Sequence, residues 1–151
     1  MNDHEALRAL KARYFRLMDT KDWSGFRALF CDDVVIDLSE SGGEVVTGAD
    51  DFLTFLTARI GDALTIHHGH SPEIDLLSET TAQGIWALED RLIWPDGTRV
   101  HGFGHYHETY AKIDGAWRIR TQRLTRLHTD YRPAGAQTQD SRPNSGGSPV
   151  Q

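Results

Sequence analysis

Residues 110–119 read Tyr110-Ala111-Lys112-Ile113-Asp114-Gly115-Ala116-Trp117-Arg118-Ile119. An Asp-Gly pair between two extended runs is a strong local signal for a β-hairpin, because these residues accept the positive φ angles of a tight turn. Similar punctuation stands upstream at Pro95-Asp96-Gly97 and at Ser78-Glu79-Thr80. Together these turns predict four extended segments, at about 64–77, 81–94, 98–113 and 116–128. Strands this long are expected to twist and bend with bulges, and Gly69, Gly84, Gly102 and Gly104 are natural bend points.

The sequence before residue 64 has a different period. Leu7, Leu10, Tyr14 and Leu17 follow at helical steps, with Asp3 placed to cap. A short second helix starts at Asp22 or Ser24 and carries Trp23, Phe26, Leu29 and Phe30 on one face. Val34-Val35-Ile36 reads as a strand, and Ser39 to Gly43 as a turn. Gly48-Ala49-Asp50-Asp51 caps a third helix whose apolar residues are Phe52, Leu53, Phe55, Leu56 and Ile60, and Gly61 ends it. Helices followed by an antiparallel meander form an α+β pattern. The expected architecture is a curved antiparallel sheet wrapped as a cone around three N-terminal helices, enclosing a pocket. Residues 1–131 form that pocket domain. Residues 132–151, rich in Pro, Gly, Ser and Gln, are expected to be a tail.

With 151 residues the chain is sized for one domain. Its net charge, 16 − 22 = −6, argues against nucleic acid as a partner. No apolar run is long enough to span a membrane. The N-terminal residues lack the pattern of a secretory signal, so a cytoplasmic location is expected. The single Cys31 has no internal disulfide partner. Eight histidines are the unusual count. His67, His68 and His70 form one cluster, and His101, His105 and His107 another. Neither offers the convergent third ligand or the nearby acid that a catalytic metal needs, so no metal is expected.

Several polar residues stand in apolar surroundings. Tyr14 lies in the stripe of the first helix, and Asp19 lies at its end. Asp90 shares strand parity with Trp86, Leu88, Leu92 and Trp94, so it must be paired, hydrogen-bonded or lining a cavity. Arg118, Arg120, Arg123 and Arg126 crowd the last strand. His67 faces away from His68 and His70, but also from Ile66, Ile74 and Leu76, unless a bulge near Gly69 changes the register. There is no nucleophile elbow, phosphate loop or dinucleotide fingerprint.

These pieces together resemble the SnoaL-like branch of the nuclear transport factor 2-like superfamily, over about residues 4–130. The resemblance is carried by Ala12-Arg13-Tyr14-Phe15-Arg16-Leu17-Met18-Asp19 with Asp22-Trp23, by Gly48-Ala49-Asp50-Asp51, by Thr65-Ile66-His67 and by the final hairpin. One subset of that branch, the bile acid 7α-dehydratase, hexachlorocyclohexane dehydrochlorinase and scytalone dehydratase group, pairs an Asp at the end of the first helix with a His on the sheet. The interval here is 67 − 19 = 48. The resemblance also implies roles for Tyr14, five residues before Asp19, and for Asp90, at 90 − 67 = 23. It further implies an arginine of the last strand. Arg123 is assigned to the catalytic set and Arg126 to the pocket wall, though sequence alone does not decide which points inward.

The implied activity is a cofactor-independent lyase of dehydratase type. Asp19 orients His67, whose ring takes a proton from carbon. Tyr14 donates to a developing oxyanion, and Asp90 protonates the leaving group. Val34, Ile36, Phe52, Phe55, Leu56, Trp86, Trp94 and Phe103 are the expected apolar walls. They suit a small, cyclic, hydrophobic substrate of steroid, terpenoid or polyketide type. The alternatives are an isomerase or polyketide-type cyclase using the same pocket, and a non-catalytic ligand-binding or accessory domain. The family also implies a homo-oligomer, trimer before dimer.

Overall fold

A capping box opens the chain. Asn2 accepts a hydrogen bond from the Glu5 amide, and the Glu5 carboxylate accepts one from the Asn2 amide. The cap is therefore Asn2 rather than Asp3. Asp3 instead accepts from the Lys112 ammonium and the Trp117 indole, at 2.9 Å each, tying the start of the first helix to the final hairpin. The structure, a computed structural model, describes residues 1–135. Its helices are α1 (Asp3–Asp19), α2 (Trp23–Arg27) and α3 (Ala49–Ile60). Its strands are β1 (Phe30–Asp37), β2 (Val45–Thr47), β3 (Leu64–Leu76), β4 (Thr81–Ile93), β5 (Arg99–Ile113) and β6 (Ala116–Arg132).

The strands form one open, curved sheet in the order β2-β1-β6-β5-β4-β3. The three expected hairpins hold. Three features differ from expectation. Val45–Thr47 pairs with β1 as a short strand, and β1 runs parallel to β6. Turn residues report only on neighbours in sequence, so this long-range pairing left no local signal. Strand β6 also runs four residues further than expected, because Arg99 to Phe103 offer it a ladder out to Arg132. Of the expected tail, residues 136–151 lie outside the described residues. Among the described residues, no helix is long and apolar enough to cross a membrane.

Alternation along the strands decides what faces the helices. Ala82, Trp86, Leu88, Asp90 and Leu92 of β4 are buried, as are Tyr106, Glu108 and Tyr110 of β5. They face α1 and α3, with Leu7, Leu10, Tyr14, Met18 and Phe52 opposite. On β3 the pairing with β4 shifts between His70 and Glu73, where Ser71 takes a φ of +49°. This bulge reverses the parity, so His67 and Ile74 both face inward while Ile66 turns out.

One polar pair sits wholly inside the core. Lys11 and Glu108 are fully buried with Nζ and Oε1 at 2.6 Å. The contact is poorly angled for a hydrogen bond, so it is chiefly an ion pair. The ammonium also lies 3.7 Å from the centroids of both the Tyr14 and Tyr106 rings. Burial pulls the Lys11 ammonium down to about 8 despite the opposing charge of Glu108. Removing one partner leaves an uncompensated buried charge. Lys11→Met is therefore expected to destabilise the fold by about 3–5 kcal/mol in urea denaturation, and Lys11→Met/Glu108→Met to recover most of that loss. A double variant no more stable than the single one contradicts this account.

Candidate functional site

Asp19 lies at the last turn of α1, where the helix end meets β3, the edge strand of the sheet. One carboxylate oxygen, Oδ2, accepts the His67 backbone N–H at 2.8 Å. The other, Oδ1, accepts the Thr65 hydroxyl at 2.9 Å and contacts His67 Nδ1 at 2.7 Å. Lys21 in turn donates to the Thr65 hydroxyl at 2.9 Å. A carboxylate held this way is an acceptor, so the His67 ring carries its proton on Nδ1 and presents Nε2 as the free base. The His67 ring stacks on Phe15, at an interplanar angle of 14°. Gly69 permits this approach, since a Cβ there would lie 2.4 Å from the Phe15 ring.

Directly across the ladder from His67 stands Asp90 on β4. Its two oxygens accept from Arg126 Nη1 and Nη2, at 2.8 and 2.9 Å. Arg126 Nε donates to the Ser41 hydroxyl at 3.0 Å. Gly102 makes room for this fork, because a Cβ there would lie 2.3 Å from Arg126 Nη1 and 2.6 Å from Asp90 Oδ1. His67 Nε2 and Asp90 Oδ2 are 4.0 Å apart, too far for a direct hydrogen bond. Both border a cavity of about 470 Å³.

The register corrects two expectations here. Arg126, not Arg123, is the inward arginine. Arg123 pairs across β5 with His107, on the outer face, and reaches Glu40 at 3.2 Å with half its side chain exposed. Asp90 is also no simple proton donor, since a bidentate guanidinium occupies both its oxygens as acceptors.

Tyr14 borders the same cavity and donates to Gln122 Oε1 at 3.1 Å. Burial first, and then the negative charge of Glu108, push its phenol above the ordinary tyrosine range, so it remains a donor. Tyr106, to which the sequence assigns no site role, adjoins it with ring centroids 5.6 Å apart, and burial raises its phenol as well.

Of the expected walls, Phe52, Phe55, Leu56, Trp94 and Arg126 border the cavity. Val34 and Ile36 do not: both are fully buried on β1, in the core rather than at its surface. Trp86 is likewise in the closed part of the core, where its indole donates to the Tyr110 hydroxyl at 3.0 Å. Phe103 has the opposite parity to Gly102 and Gly104 and lies on the outer face beside His101. His101 and Glu89 pair on that face at 2.8 Å.

The family model of the SnoaL-like domain matches residues 1–123. A cyclase candidate from Gibberella zeae is 26% identical over 134 residues, covering 78% of this chain and 87% of its own. The crystal structure of a scytalone dehydratase candidate from Novosphingobium aromaticivorans shares the fold with a TM-score of 0.78 and 23% identity, over 93% of this chain and 94% of its own. A type 2 hexachlorocyclohexane dehydrochlorinase (LinA) gives a TM-score of 0.76 at 16% identity, over 93% and 94% of the two chains.

The hydrogen bonds around Asp19 dictate one tautomer. ¹⁵N–¹H correlation of the His67 ring in its neutral form is expected to show a protonated Nδ1 and a bare Nε2. Asp19→Ala is expected to abolish that preference. A wild-type ring protonated on Nε2 contradicts the assignment.

Proposed function

The chain belongs to the SnoaL-like domain family, and from that premise we propose that it is a small-molecule enzyme, a cofactor-independent lyase that eliminates water from a cyclic, hydrophobic substrate. The observation that carries the reading is the part-buried Asp19–His67 pair, whose free Nε2 opens on an apolar cavity 4.0 Å from a carboxylate held by arginine.

The chemistry follows from these groups. His67 Nε2 removes a proton from a carbon next to an activating carbonyl, and Asp19 stabilises the positive charge that forms on the ring. The Tyr106 hydroxyl, at the same cavity, donates to the oxygen on which negative charge develops, and Tyr14 joins it by turning its single hydroxyl proton from Gln122 Oε1 to that oxygen. The substrate hydroxyl seats between His67 Nε2 and Asp90 Oδ2, donating to the carboxylate. When the C–O bond breaks, the imidazolium returns its proton to the departing hydroxyl. Water leaves, and His67 is neutral again. Asp90 thus orients the leaving group and His67 serves as both base and acid. This differs from the role in which Asp90 supplies the proton.

A second reading, isomerase or cyclase, is favoured by the same feature. A single residue that takes and returns a proton also suffices where no group departs, and the Gibberella zeae relative is named as a cyclase candidate.

A screen of cyclic β-hydroxy carbonyl compounds, read by mass spectrometry, separates the two. Elimination removes the mass of one water, and isomerisation leaves the mass unchanged. On any converted compound, His67→Ala and Asp19→Asn are expected to lower kcat/KM by about 10²–10⁴-fold. Arg123→Ala is expected to leave it near wild type. Turnover that survives His67→Ala overturns the proposal.

A further inference from the structure

A second guanidinium borders the cavity. Arg59, in the last turn of α3, borders the same space as His67 and Asp90. Its guanidinium lies 4.3 Å from the Phe55 ring centroid, which holds it over an apolar wall. Its backbone carbonyl accepts the Trp94 indole N–H at 2.8 Å, anchoring the base of the side chain to another wall residue. The Nη1 group reaches only weakly, at 3.5 Å, toward the Gly42 carbonyl.

Two guanidinium groups border this cavity, and they differ in commitment. The charge of Arg126 is answered by Asp90 at 2.8 Å. Among the described residues no carboxylate lies within 4.0 Å of Arg59, although Asp and Glu outnumber Lys and Arg by 22 to 16. Among the described residues, the one other acid bordering the cavity, Glu40, is paired with Arg123 at 3.2 Å. The Thr129 and Tyr131 side chains, each bearing a hydroxyl, border the cavity further along β6. A cation near a helix C-terminus complements the helix dipole, which accounts for the position along α3. The i, i+4 spacing on α3 accounts for its contact with the Phe55 ring; neither effect supplies a counter-charge for a guanidinium that borders an apolar cavity.

We infer that the substrate carries a carboxylate on its hydrophobic body, distinct from the reacting centre, and that Arg59 receives it. The inference rests on the reading of this cavity as the substrate site. It narrows the substrate from a neutral ring compound to an amphipathic acid. Arg59 is then a specificity residue: it sets which molecules are bound and in which direction, while His67 performs the proton transfer.

The test uses the full chain and two fluorescent probes of equal shape, anthracene-9-carboxylate and anthracene-9-carboxamide, titrated at neutral pH and low salt. Wild type is expected to bind the carboxylate about fivefold more tightly than the amide, the scale of one partly exposed ion pair. That preference is expected to shrink as salt is raised. Arg59→Gln is expected to erase it while leaving the amide affinity unchanged, and Arg59→Lys to keep part of it. The side chain is exposed, so these variants are expected to fold. Equal binding of both probes by wild type, or a preference that survives Arg59→Gln, overturns the inference alone. Loss of affinity for both probes in Arg59→Gln assigns the residue to packing and overturns it too. Binding of neither probe to wild type overturns both the inference and the reading of the cavity on which it rests.

Discussion

The Asp19 carboxylate joins the end of α1 to the free edge of the sheet. Strand β3 has a neighbour on one side only, so backbone groups on its other side need partners. The His67 N–H finds one in Asp19 Oδ2 at 2.8 Å. The same carboxylate grips the His67 ring at 2.7 Å and the Thr65 hydroxyl at 2.9 Å. An interaction that closes the helix onto the sheet is therefore also the one that fixes a histidine tautomer. The middle of α1 is held by Lys11 and Glu108, and its start by Asp3 against Lys112 and Trp117. Three polar ties along one helix fix its position, and with it the direction in which Nε2 points.

Behind that histidine the site is built from pairs rather than single residues. Asp90 without Arg126 would be a buried, unanswered acid, and Arg126 without Asp90 a part-buried cation. Gly102 exists as glycine because neither could approach the strand past a Cβ. Tyr14 and Tyr106 sit over the Lys11–Glu108 pair, so the donors at the cavity floor rest on a charged foundation inside the core. This arrangement keeps the phenols protonated and the carboxylate beside His67 engaged as an acceptor. His67 Nε2 is left facing the cavity, which is what the proposed proton transfer requires.

The sequence was most legible where structure depends on near neighbours. The Asp-Gly and Pro-Asp-Gly turns announced the hairpins, and the helical steps from Leu7 to Leu17 announced α1. Strand parity drew Asp90 to the inner face. It was equally able to flag Glu108, which shares the parity of Tyr106 and Tyr110, and helical spacing was able to flag Lys11, four residues from Leu7 and three from Tyr14. Neither residue signals the pair, because each, taken alone, reads as a surface charge. The choice between Arg123 and Arg126 was not legible. It depends on the irregularities in the β5–β6 register, which no local signal reports. The parallel seat of β1 beside β6 and the short strand Val45–Thr47 were hidden for the same reason: distant segments decide them.

The central claim is that a reacting carbon meets His67 Nε2 while its oxygen substituent lies toward Asp90 and Arg126. A crystal structure of the chain with the product of a verified turnover tests it most directly. The account predicts the product inside the cavity, with the carbon that lost its proton about 3–3.5 Å from His67 Nε2 and Asp90 still held by both Nη groups of Arg126. A product bound on the outer face of the sheet, or seated in the cavity with its reacting carbon turned away from His67, would contradict it.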